Sequence, residues 1–167
     1  MLDRLYTPWR YAYVTGAKND DGCVFCNVLA ADEDRPNHVL HRAEHWTLML
    51  NRYPYNNGHL MLVLNRHAAQ LGDCSTDELS TLGPLMATME KALQATMHPQ
   101  GFNCGYNGGS SAGAGIPEHL HVHLLPRWSG DTNFMTTVGS TRVMPQTLDE
   151  VDDLLRPVLA EMLAGDA

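Results

Sequence analysis

Long apolar runs are missing from this chain, whose longest is the five residues Leu60 to Leu64. A membrane-spanning helix needs about 20 apolar residues, so none is expected, and the N-terminus lacks the apolar segment of a secretory signal. Basic charge is also scarce: 11 Lys and Arg stand against 19 Asp and Glu, a formal net charge of −8. No basic stripe is visible, which excludes non-specific binding to a nucleic acid backbone. Of the four cysteines only Cys23 and Cys26 have a spacing that suggests partnership. No internal repeat, low-complexity tract or dedicated Mg²⁺ motif occurs. The expectation is a soluble, cytoplasmic protein whose residues 1–167 form a single domain, large enough to bury roughly two thirds of its unfolded surface.

What the chain does have is Glu118-His119-Leu120-His121-Val122-His123-Leu124-Leu125-Pro126-Arg127-Trp128. A strand sends alternate side chains to one face, so His119, His121 and His123 should share a face, with Leu120 and Val122 filling the core behind them. Three adjacent imidazoles that titrate near neutrality cost more than they contribute to folding, which points to function. Two chemistries could use such a row: a metal site, or a nucleophilic ring with supporting histidines.

The preceding stretch, Asn107-Gly108-Gly109-Ser110-Ser111-Ala112-Gly113-Ala114-Gly115, decides between them. Its small residues let backbone N–H groups approach an anion closely, and the hydroxyls of Ser110 and Ser111 are further donors. A phosphate cradle beside histidines suggests attack of an imidazole on phosphorus. An enzyme that bound one metal through all three histidines would need a carboxylate in register on a neighbouring strand, and none is found.

His119-Leu120-His121-Val122-His123-Leu124-Leu125 fits the pattern His-φ-His-φ-His-φ-φ of the histidine triad (HIT) family of nucleotide hydrolases and transferases. The continuation Pro126-Arg127-Trp128-Ser129-Gly130-Asp131-Thr132-Asn133-Phe134-Met135 resembles the branch containing the fragile histidine triad hydrolases and the bacterial diadenosine tetraphosphate phosphorylases. The resemblance extends over nearly the whole chain. It implies a single HIT domain over 1–167, with an N-terminal arm (1–22), a C-terminal extension with a helix (136–167), and commonly a homodimer. It also implies a covalent nucleotidyl intermediate on His121, with His123 donating to phosphate oxygens or the leaving group and the carbonyl of His119 orienting the His121 ring. Asn51 stands where the family holds ribose hydroxyls, and Asn107 where it places an amide near the bridging phosphates. Ser110, Ser111, Gly113 and the other loop amides would stabilise developing charge. Ala114-Gly115 departs from the Gly-Ser pair of the phosphorylases, and the missing hydroxyl favours water over phosphate as acceptor.

Cys23-Val24-Phe25-Cys26 could share a zinc ion, form a redox pair, or be two buried cysteines without metal. A reducing cytoplasm disfavours a structural disulfide. The resemblance supports zinc held by Cys23, Cys26, His67 and His119, which would tie the N-terminal segment to the histidine strand. The acidic surface suggests that a polyphosphate would arrive partly neutralised by Mg²⁺.

Strands are expected near 38–41, 46–50, 59–64 and 101–107. Ser75-Thr76-Asp77-Glu78 and Thr147-Leu148-Asp149-Glu150 are capping boxes that should open helices reaching about Met97 and Leu163, with Pro84 bending the first or marking its true start. The fold class is therefore α+β, one antiparallel sheet of about five strands with helices on one face. The function expected is cleavage of dinucleoside polyphosphates such as diadenosine tetra- or triphosphate. Alternatives are a nucleoside phosphoramidase of the same family, or a nucleotide-sensing module with little turnover.

Overall fold

The computed structural model describes residues 22–165, so the expected N-terminal arm, Gly22 apart, lies outside the described residues. Five strands, β1 (Val39–Arg42), β2 (Trp46–Leu50), β3 (Leu60–Leu64), β4 (Gly101–Gly105) and β5 (His121–Arg127), form one antiparallel sheet in the order β1-β2-β3-β5-β4. The helices are α1 (Val24–Ala30), α2 (Thr76–Met97), α3 (Phe134–Gly139) and α4 (Leu148–Gly165). Among the described residues no helix is long and apolar enough to cross a membrane.

Alternation along the central strands divides the molecule in two. Trp46, Leu48 and Leu50 of β2, Leu60, Leu62 and Leu64 of β3, and Leu120, Val122 and Leu124 at β5 face the two long helices and form the main core with Met89, Leu93, Leu155 and Leu159. Met49, Met61 and Val63 point to the opposite face, where Phe25 of α1 covers them together with Val28, Leu29 and Ile116. Both faces are thus covered, which explains why every residue of β2 and β3 is buried. The long helices lie on one face as expected. The short α1, which lacks a side-chain cap, lies on the other and has no helix signal in the sequence.

Both capping boxes form. Ser75 Oγ accepts the Glu78 N–H at 3.2 Å while Glu78 returns to the Ser75 N–H at 2.7 Å. Thr147 and Glu150 repeat the arrangement before α4. Helix α2 runs through Pro84 instead of starting there: Gly83 and Pro84 are exposed, so water can satisfy the carbonyl that proline cannot. It stops at His98, which takes the left-handed conformation ahead of Pro99. Strand β4 ends at Gly105, two residues earlier than the sequence suggested.

Gly58 is required where it stands. Its φ is +71°, and a Cβ there would lie 2.8 Å from Met97 Sδ and 3.2 Å from both Leu93 and Pro126. The β2–β3 connection therefore presses against α2 and the end of β5, which fixes the entry of the next residue, His59.

Arg66 holds both carboxylate oxygens of Glu78, at 2.7 and 2.8 Å. This pairing, with the Ser75 cap, lowers the Glu78 pKa from 4.5 to about 2. The folded state thus gains stability from this group above pH 4.5 and loses it as the pH falls towards 2. Glu78→Gln should melt a few degrees below the parent at neutral pH, and thermal melts across the acid range should show the gap closing through that window.

Candidate active site

The histidine row is assembled by pairing β5 with β3. Met61 lies opposite His123 and Val63 opposite His121, so the imidazoles share the face that α1 covers. The row is buried, with His119 1% and His121 and His123 each 7% exposed. The ring centroids of His121 and His123 are 4.9 Å apart, and Phe25 packs against His121 at 5.0 Å and His119 at 5.4 Å. Regular pairing begins at His121, and His119 stands just before it, where the Leu120 carbonyl still accepts the Leu64 N–H at 3.2 Å.

Each ring has one nitrogen committed. His119 Nε2 donates to the Leu64 carbonyl at 2.7 Å, leaving Nδ1 with its lone pair. His121 Nδ1 donates to the His119 carbonyl at 2.7 Å, leaving Nε2 with the lone pair. Burial lowers the pKa of His121, so this ring is neutral and nucleophilic at physiological pH.

His123 is fixed differently, through His59. The Tyr55 N–H donates to His59 Nδ1 at 3.0 Å, with the Asn51 amide 3.3 Å from the same atom. Burial, followed by the neighbouring His123 and His121, pushes the His59 pKa to about 3, so the ring is neutral and its only proton is on Nε2. That proton goes to His123 Nδ1, 2.8 Å away. His123, also neutral because burial and then His121 lower its pKa to about 4, must carry its proton on Nε2. This atom is buried and has no partner among the described residues. It is a hydrogen-bond donor held ready for a ligand.

The family resemblance implies a structural role for His59, in its Gly58-His59 pair, whereas the residue's parity points to the site: it falls on the same side of β3 as Met61 and Val63, which face the histidines. Tyr55 stacks on both rings, with centroids 4.7 Å from His59 and 5.5 Å from His123.

At the other end of the row Cys23, Cys26, His67 and His119 converge, their ligand atoms all within 4.8 Å of one another. His119 Nδ1 is 3.3 Å from Cys23 Sγ, and His67 Nδ1 is 3.2 Å from Cys26 Sγ. Two sulfurs and two imidazole nitrogens are a donor set that suits tetrahedral zinc. The Leu64 carbonyl fixes the His119 tautomer that such an ion requires. The expected metal ligands therefore fit the group on geometry and on chemistry.

The remaining candidates are placed less tightly. Asn51 directly follows β2, where its side-chain oxygen caps the turn by accepting the Tyr53 N–H at 2.9 Å. The glycine-rich loop leaves the sheet at Gly105, opposite His123, and returns at the row. Within it Ser110–Ala112 form a single 3₁₀ turn between Gly109 and Gly113, both with φ of 88°. Ser110, Ser111 and Gly113 are exposed and Asn107 is half-buried, and among the described residues none hydrogen-bonds to a histidine.

The chain belongs to the HIT domain family, whose model matches residues 32–130. It is 40% identical over 164 residues to a Mycobacterium tuberculosis protein named AP-4-A phosphorylase, across 92% of this chain and 83% of that one. A Zn-bound histidine triad family protein from Mycobacterium smegmatis superimposes with a TM-score of 0.69 at 25% identity, covering 86% of this chain and 97% of the other. The fold is also that of the Plasmodium falciparum diadenosine triphosphate hydrolase, with a TM-score of 0.60 at 14% identity over 78% of this chain and 80% of that one.

The tautomers are directly measurable. Nitrogen-15 NMR of the imidazoles should show His121 protonated on Nδ1 and His59 and His123 on Nε2, the last two staying neutral until the pH falls to about 4. In His59→Phe the ring of His123 should lose its single tautomer while His121 keeps its own.

Proposed function

We propose that the protein cleaves dinucleoside polyphosphates, such as diadenosine tetra- or triphosphate, through a covalent nucleotidyl-histidine. The observation that carries this reading is the hydrogen bond from His121 Nδ1 to the His119 carbonyl, which leaves Nε2 with a lone pair that, unlike the one on His119 Nδ1, is not turned towards the cysteines. The likeness to a relative named AP-4-A phosphorylase supports the substrate class.

His121 Nε2 attacks the α-phosphorus, the N–P bond forms, and the bridging P–O bond breaks. The departing nucleotide leaves as a stable phosphate anion and needs no proton. His123 Nε2–H hydrogen-bonds to the phosphate oxygens, and Ser110, Ser111 and the loop amides, including that of Gly113, stabilise their charge. Asn107 aligns the bridging oxygen and Asn51 the ribose hydroxyls. Water or inorganic phosphate then attacks the phosphorus, releases the nucleotide and restores His121.

Cys23, Cys26, His67 and His119 would hold zinc, whose contribution is structural: it ties α1 to the start of the histidine row. Mg²⁺ enters bound to the polyphosphate; among the described residues the Cys and His cluster is the one metal-competent group. The reading includes a cytoplasmic protein and a homodimer, the latter supported by β4 standing at the edge of the sheet, unpaired on its outer side among the described residues.

Product analysis of diadenosine tetraphosphate with Mg²⁺ tests the function. ADP plus ATP formed only with inorganic phosphate identifies a phosphorylase, and AMP plus ATP without it a hydrolase. His121→Asn should lower turnover at least about a thousandfold while retaining nucleotide binding. No product under either condition overturns the reading in favour of a phosphoramidase or a binding module.

Metal analysis tests the zinc separately. The purified protein should hold close to one zinc per chain, and Cys26→Ser should lose it together with several degrees of melting temperature. A metal-free protein of unchanged stability would leave the four residues as a packed cluster.

A further inference from the structure

The turn that leads to His59 is also held from the C-terminal segment. The β2–β3 turn carries Tyr55, whose N–H fixes His59, and His59 fixes His123. The segment between α3 and α4 grips this same turn. Arg142 donates through Nη1 to the Tyr55 carbonyl, so both backbone groups of Tyr55 are held. Gln146 Oε1 accepts from Asn57 Nδ2 at 2.7 Å, and Met144, between these two residues, lines an apolar hollow with Leu50, Pro54, His59 and Leu148.

Two features set Arg142 apart. Arg35, Arg42, Arg66, Arg127 and Arg156 each pair with a carboxylate, whereas Arg142, which shares with Arg52 the lack of such a pair among the described residues, gives its guanidinium to a backbone carbonyl. The backbone it holds would otherwise depend on an exposed turn, in which Tyr53 is 43% and Tyr55 50% exposed. If the Tyr55 N–H swings away, only the longer contact from the Asn51 amide, at 3.3 Å, is left to keep His59 Nδ1 unprotonated. The ring can then carry its proton on Nδ1, and His123 in turn can present a lone pair on Nε2. A lone pair there repels the phosphate oxygens that an N–H attracts.

We propose that Arg142 and Gln146 are positioning residues. They hold Tyr55 and Asn57 so that the Tyr55–His59 chain keeps His123 in its donor tautomer, which makes a segment outside the matched family region part of the active site. The kinetic arm of the test rests on the function proposed above, and the spectroscopic arm does not.

The experiment compares the full chain with Arg142→Ala, Arg142→Lys and Gln146→Ala. The expected result for Arg142→Ala is a fall in kcat of about five- to twentyfold with KM within about twofold, and a His123 nitrogen-15 signal spread over both tautomers. Arg142→Lys, which can still donate to a carbonyl, should recover most of both. Gln146→Ala should move both readouts in the same direction by less. An unchanged His123 tautomer in Arg142→Ala overturns the proposal, and so does a rise in KM alone, which would make Arg142 a direct substrate contact. If the parent turns over no dinucleoside polyphosphate, the proposed function fails while the NMR comparison still decides the strap.

Discussion

The hydrogen bond that fixes the tautomer of each buried imidazole determines what the row can do. Three histidines alternate on one strand, yet they have three different partners: the Leu64 carbonyl, the His119 carbonyl and His59. A carbonyl only accepts, so it fixes a proton on the nitrogen facing it and frees the other as a lone pair. His59 here donates, so it leaves His123 with the opposite tautomer. One strand thus presents a lone pair beside two cysteines, a second lone pair and a hydrogen-bond donor in sequence, with no carboxylate hydrogen-bonded to any of the three rings among the described residues. Neutrality is essential to this, and burial supplies it by disfavouring the charged form of each ring.

Much of this was legible in the sequence because it depends on short-range periodicity. Alternation placed His119, His121 and His123 on one face and Leu120 and Val122 on the other, and the capping boxes at Ser75 and Thr147 located both long helices. The Cys23-x-x-Cys26 spacing gave half a metal site, and family resemblance supplied His67 and His119, which the β3–β5 pairing brings beside it. What escaped detection lacks a local signal. Helix α1 has seven residues and no side-chain cap, and it is held by Phe25 packing under the sheet. His59 is hidden for a related reason: its parity on β3 acquires meaning only when the register against β5 is known. The Arg142 contact spans 87 residues and joins two irregular segments, a separation at which no pattern in the chain points to it.

The ends of the row depend on parts of the chain remote from it and from each other. At His119 the neighbours are Cys23, the N-cap of α1, and Cys26 in its first turn. At His123 they are His59 and Tyr55, gripped by the segment that leads into α4. Helix α4 is itself anchored to β1, because the fully buried Asp152 accepts from Arg35 and Arg156, and Arg156 also donates to the Val39 carbonyl. A buried carboxylate paired on two sides is costly to break, so this joint is stiff. Rigidity at both ends suits a site in which the nucleophile and the donor must keep their places relative to a phosphorus between them.

Satisfaction of polar groups shows where the structure departs from its own rules. Among the described residues only three buried side-chain polar atoms lack a partner: His38 Nδ1, Thr136 Oγ1 and His123 Nε2. An unmet buried donor costs about 1–3 kcal/mol, enough that a fold normally removes it. His38 adopts a positive φ at the entry to β1, and Thr136 lies on α3. His123 Nε2 alone is orphaned at the end of a chain of hydrogen bonds in which every other member is satisfied. A network built from Tyr55 through His59 to leave one donor unmet makes physical sense when something outside the protein completes it. On the proposed function, that partner is a phosphate oxygen of the nucleotide.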